Sequence, residues 1–80
     1  MFKNKNASSN NLCGENVKKY RTSITPRLSQ RGLADKLQLE GIDLDKNAIQ
    51  RIESGQRFVT DIELVALAKV LKVSLEELLY

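Results

Sequence analysis

Four side chains in one short stretch, Lys46, Asn47, Gln50 and Arg51, carry the densest potential chemistry in this chain. All four are hydrogen-bond donors; two are cations and two are carboxamides. Arg and Lys can pair with the acceptor edge of guanine, and Asn and Gln with the donor–acceptor edge of adenine. If 46–54 is a helix, Ala48, Ile49 and Ile52 fall at i, i+1 and i+4 on one face, and the four polar residues take the other. An ordinary solvated face mixes Glu with Lys, but Glu53 is the only acid between Lys46 and Arg57. This set suits the reading of base edges.

Bond-making chemistry finds little support. The chain has no histidine, so the usual general base is missing. Its one cysteine, Cys13, allows no internal disulfide and no metal cluster, and there is no glycine-rich phosphate loop. Cys13 reads as a small buried hydrophobe. The expectation is a binding module, not an enzyme, with no cofactor and no metal.

The elements that must position the four residues follow from caps and periodicity. Asp45 can accept from first-turn amides, and Gly55 can take a positive φ, which bounds a helix at 46–54. Ser29 opens a preceding helix at 30–39, with Leu33, Ala34 and Leu37 as its stripe and Gly41 as its stop. Gly32 inside it costs about 1 kcal/mol relative to Ala, so tertiary packing must hold this helix. The connection from Gln38 to Leu44 is long, and Leu39, Ile42 and Leu44 are expected to tuck back onto the core.

Upstream, a helix near 12–22 would turn Val17, Tyr20, Leu12 and Cys13 inward and Lys18 and Lys19 outward. Pro26 marks the connection at 22–28, because it lacks an amide and disfavours a helical Thr25. Downstream, Thr60 with Glu63 and Ser74 with Glu77 are capping boxes that open helices at 61–71 and 75–79. In the first of these, Leu64, Leu67, Ala68 and Leu71 suit the core, and Ile62, Val65 and Val70 remain. Leu75, Leu78 and Leu79 are expected inside or at an interface. No strand signal is strong, so the expected fold class is all-α with five helices.

Eighty residues, 41% of them hydrophobic, allow one small domain. No apolar run approaches the ~20 residues that cross a bilayer, and the N-terminus lacks an apolar signal segment. A cytoplasmic location is expected. Residues 1–10 are polar and read as a disordered tail, leaving 11–80 as the domain. Residues 1–57 carry 11 Lys or Arg against six acids, a net +5, whereas 58–80 carry two against four, a net −2. A basic front and an acidic back suit a protein that turns one face to a polyanion.

The ordered set Gly14 to Arg21 (GENVKKYR), Leu28 to Gln30, Leu33-Ala34 with Leu37, Ala48 to Gly55 (AIQRIESG), Leu64 with Leu67, Ala68 and Leu71, and Val73 to Leu78 (VSLEEL) resembles the lambda-repressor-like (Cro/C1-type, XRE family) helix-turn-helix proteins. The resemblance covers about residues 12–79. It implies a five-helix DNA-binding domain with the helix-turn-helix at its second and third helices, acting as a small prokaryotic or phage transcriptional regulator: a phage-like repressor, an antitoxin that regulates its own synthesis, or a restriction–modification controller, which the sequence does not separate. By position, Lys46, Asn47, Gln50 and Arg51 would face bases in the major groove. Gln30, Arg31, Arg27 and Arg57 would meet phosphates, and Arg21 and Glu53 would form a structural ion pair. The chain departs from the pattern between Leu37 and Ile49, where it has several more residues than is usual. That enlarged turn bears on the tilt of the reading helix.

The partner expected is double-stranded DNA bearing a palindromic operator. A homodimer is expected through Ile62, Val65, Leu79 and Tyr80, because the 61–71 helix has more apolar surface than one small core covers. The alternative is a protein-interaction module, antitoxin-like, that binds a partner through the last two helices and has weak or lapsed DNA binding.

Overall fold

A computed structural model of the chain describes residues 9–80, which form five α-helices and no strand. The tail expected at 1–10 lies outside the described residues except for Ser9 and Asn10. The helices are α1 (Gly14–Ser23), α2 (Gln30–Leu39), α3 (Lys46–Glu53), α4 (Asp61–Leu71) and α5 (Leu75–Leu79).

The starts follow local chemistry. Ser29 Oγ accepts from the Gly32 amide at 2.9 Å and opens α2. Asp45 accepts from the Ala48 amide at 2.8 Å and opens α3. Thr60 with Glu63, and Ser74 with Glu77, form the two reciprocal capping boxes that open α4 and α5. Each cap satisfies an amide that the helix leaves without a partner. The start of α1 differs from the expectation near 12. Asn11 Oδ1 accepts from the Gly14 amide at 2.7 Å, so the helix begins at Gly14. Leu12 therefore precedes the helix and stands 52% exposed, whereas Cys13 and Val17 are buried. Burial pushes the Cys13 thiol above its ordinary pKa, which keeps it a neutral hydrophobe.

The enlarged turn is closed from within. Gly41 takes φ +83°, the Gly41 amide donates to Gln38, and the Ile42 amide donates to Leu37 at 2.9 Å. This is the paired closure that ends many helices at a left-handed glycine. Leu44 then drops into the core and Ile42 packs half-buried against it. Leu39 does not tuck back: it is 86% exposed. It sits two residues, about 200° of helix, beyond the buried Leu37, and so lies on the outer face of α2.

The core draws a fully buried side chain from every helix: Val17, Leu33 with Leu37, Ile49 with Ile52, Leu67 and Leu78. On α4, Ala66 is buried alongside Leu67, Ala68 and Leu71, while Leu64 is half-buried, a step round the helix from the expected stripe. Val70, expected to lack a partner, packs against the core; Ile62 and Val65 stay exposed.

One close approach ties α1 to α3. A methyl group on Gly14 would collide with the Ile52 carbonyl oxygen, a backbone atom that cannot swing aside. Alanine is the better helix former by about 1 kcal/mol, but here the collision outweighs propensity. Gly14→Ala is expected to destabilise the fold by a net ~1–3 kcal/mol. Urea unfolding at pH 7 measures this; a variant as stable as the parent would show that the helices can part without cost.

Candidate nucleic-acid interface

Helix α3 presents its two faces as its sequence pattern requires. Ala48, Ile49 and Ile52 are buried, and Lys46, Asn47, Gln50 and Arg51 are exposed. Among the described residues, no hydrogen bond or ion pair engages the side chains of these four. A ligand would meet their donors without first breaking an internal pair.

The expected phosphate-contacting residues separate into two places. Arg27, Gln30, Arg31 and Lys46 line an open depression of about 480 Å³ at the start of α2, together with Ser29 and Arg21. Arg27, Arg31 and Lys46, with Arg21 already paired to Glu53 behind them, thus converge with the first turn of α2 beside the N-terminus of α3, an arrangement that favours an anion. Arg57 lies past the other end of α3 and is already engaged. Its Nη1 and Nη2 donate to the two carboxylate oxygens of Glu63 at 2.8 and 3.0 Å, and Nη1 also donates to the Phe58 carbonyl. The guanidinium, foremost through those hydrogen bonds, holds the Glu63 carboxyl below its ordinary pKa, and Glu63 in turn raises that of Arg57.

Beneath the exposed face lies a buried ionic pin. Arg21 Nε donates to Glu53 Oε2 at 2.6 Å and Nη2 to Oε1 at 3.0 Å, in fork-to-fork geometry. Their side chains are 9% and 4% exposed. Arg21 Nη1 also donates to the Leu28 carbonyl, and Gln30 Nε2 donates to Glu53 Oε1 at 3.0 Å. The network joins α1, the connection two residues before α2, the first residue of α2 and the last residue of α3. An acid at a helix C-terminus opposes the helix dipole, and these donors offset that cost.

Several of these contacts are not legible in the chain. The Gln30–Glu53 bond joins residues 23 apart in sequence. The Arg57–Glu63 pair and the Lys69–Glu40 pair at 2.7 Å carry no signal beyond opposite charge. Asn11 was missed as well, although an Asn three residues before a helical amide is a capping signal.

The residues expected at a dimer contact are available to one. Ile62 is 69% exposed, Val65 56% and Tyr80 93%, and Leu79 is half-buried. Phe58 and Leu75 are also exposed. Among the described residues, no group of His, Cys, Asp and Glu is placed to hold a metal, and no helix is long and apolar enough to cross a membrane.

Comparison with known proteins agrees with this architecture. The helix-turn-helix family model matches residues 17–78. Among solved structures, a restriction-modification controller protein from Aeromonas hydrophila is similar, at 31% sequence identity and a TM-score of 0.67, over 81% of this chain and 88% of that one. No curated protein matches the chain.

Proposed function

The chain belongs to the Cro/C1-type helix-turn-helix family of DNA-binding transcription regulators, and from that premise we propose that it reads a specific duplex sequence with α3 in the major groove. The observation that carries the proposal is the outer face of α3, where Lys46, Asn47, Gln50 and Arg51 are exposed and unpaired among the described residues. Base contacts from these four supply specificity. Arg27, Gln30 and Arg31, beside Lys46, supply sequence-independent contacts to phosphates. Arg57 adds less, because three of its five N–H donors already bond Glu63 and Phe58 and its charge is paired. The protein acts by binding alone, with no catalytic step, cofactor or metal.

We further propose that it works as a homodimer joined through α4 and α5. The half with sparse Lys and Arg then turns away from DNA, and two copies of α3 meet half-sites about one turn apart, roughly 34 Å. The operator is then palindromic. The similarity to a restriction-modification controller supports a small prokaryotic or phage regulator, and in our reading it occupies its operator as a repressor. A cytoplasmic location follows from that role.

Selection from a random duplex pool is expected to recover a palindrome. Arg51→Ala and Gln50→Ala should each lower affinity for the selected site by about 1–3 kcal/mol and relax base preference. Gln30→Ala should weaken all duplexes nearly equally. If the α3 substitutions leave binding to the selected site unchanged, α3 is not the reader.

A further inference from the structure

The segment before α1 grips the far end of α3. The Asn10 amide donates to the Gly55 carbonyl at 2.7 Å, and Asn10 Nδ2 donates to the Gln56 carbonyl at 2.9 Å. Asn11 does more. Its Oδ1 accepts from the Gly14 amide, while its Nδ2 donates to the Ile52 carbonyl at 3.0 Å and to the Arg57 carbonyl at 2.8 Å. One side chain thus caps the start of α1 and closes the end of α3. A carboxamide meets this demand because it carries an acceptor and two donors on one planar group.

This contact and the buried ion pair sit at opposite ends of α1. Asn11 holds the Ile52 carbonyl at its start, where Gly14 packs closely against the same oxygen, and Arg21 holds the Glu53 carboxylate in its last turn. With the ion pair as its single polar tie to α1, the tilt of α3, about 12 Å long, would rest otherwise on the packing of Ala48, Ile49 and Ile52, which apolar contact fixes less sharply than directional bonds do. The second tie narrows that rotation. Bidentate base contacts tolerate only a few tenths of an ångström around 2.7–3.2 Å, so a small pivot at Glu53 is felt along the face that carries Arg51, Gln50 and Asn47. We propose that Asn11 is a positioning residue for base reading: it fixes the tilt of α3 on α1 from outside the helix-turn-helix itself. The proposal rests on α3 being the reading helix.

Asn11→Asp separates this role from plain stability. The carboxylate still accepts from the Gly14 amide, but it turns an oxygen toward the Ile52 and Arg57 carbonyls, where Nδ2 had donated. The added negative charge weakens binding to every duplex alike, so the quantity read is the ratio of affinities for a selected and a scrambled duplex, measured well below the unfolding midpoint. That ratio is expected to fall roughly tenfold, from the loss of two hydrogen bonds that orient α3. Amide NMR shifts of residues 50–57 should move while helix content by circular dichroism is retained. Asn11→Ser, uncharged and still able to cap Gly14, should lower the ratio in the same direction and serves as the test if Asn11→Asp fails to fold. A merely structural Asn11 would scale both affinities by the folded fraction and leave the ratio flat; that result, with unmoved α3 amides, overturns the proposal. A parent protein that selects no sequence overturns instead the DNA reading on which it rests.

Discussion

Replacing Glu53 with alanine is expected to lower the unfolding free energy by about 3–5 kcal/mol, the cost of leaving a buried charge without its partner. Arg21 is 7% exposed, and its guanidinium would lose two of its acceptors, keeping only the Leu28 carbonyl. The Gln30 carboxamide would lose its acceptor too. Against a whole-domain stability of about 5–15 kcal/mol this is a large share. For a domain of this size each kcal/mol moves the melting temperature by roughly 4–8 °C. Glu40→Ala is the matched control. Glu40 is also ion-paired, to Lys69 at 2.7 Å, but those side chains are 33% and 69% exposed. An exposed pair contributes about 0–1 kcal/mol, because water screens it and two flexible side chains must be held still. The same charge removed from two ion pairs should thus have very different effects, decided by burial. Thermal and urea unfolding at pH 7 compare them, and equal losses would mean that Glu53 is effectively solvated.

Val65→Glu is expected to reduce affinity for a two-half-site operator by about 10²-fold or more, because it removes the avidity of two linked readers. Val65 and Ile62 are three residues apart on α4, share a face, and stand 56% and 69% exposed. Monomers rarely leave such neighbouring apolar groups open, and Tyr80 and Phe58 extend the exposed apolar surface. A carboxylate at the centre of a two-fold contact meets its own copy and must be desolvated beside it. Sedimentation at tens of micromolar should show the parent above the 9.0 kDa of one chain, with a mass that rises with concentration, and the variant at 9.0 kDa. Affinity for a single half-site should be unchanged, since Val65 is on α4 and the proposed reading face is on α3. A parent that stays at 9.0 kDa at every concentration, or a variant with unaltered mass and operator affinity, would sink the dimer.

Helix boundaries were legible because their causes are local. Ser29, Asp45, Thr60 and Ser74 each meet an amide three residues on, and the closing glycines at 41 and 55 need only their own freedom at positive φ. The two faces of α3 were legible for the same reason, since Ala48, Ile49 and Ile52 share a side by helical geometry alone. The pairing of Arg21 with Glu53 came from family resemblance; nothing in the spacing of residues 32 apart would give it. Leu39 was misplaced because apolar character says that a residue gains by burial, and not whether its helix turns it to the core.

Local sequence by itself thus determined that five helices form, roughly where each begins and ends, and which side of α3 is free to meet a ligand. Caps, periodicity and charge act over three or four residues and are read directly. Only the tertiary structure decided which charges are paired, and so which are free: Arg57 is engaged by Glu63, while Arg51 is unpaired among the described residues. It also decided that Ile62 and Val65 stay outside the core while Val70 packs against it, and that Asn11 bridges the start of α1 and the end of α3. These outcomes depend on where helices cross. Crossing is set by the fit of buried surfaces from distant parts of the chain, such as Gly14 against Ile52, and no local pattern encodes it.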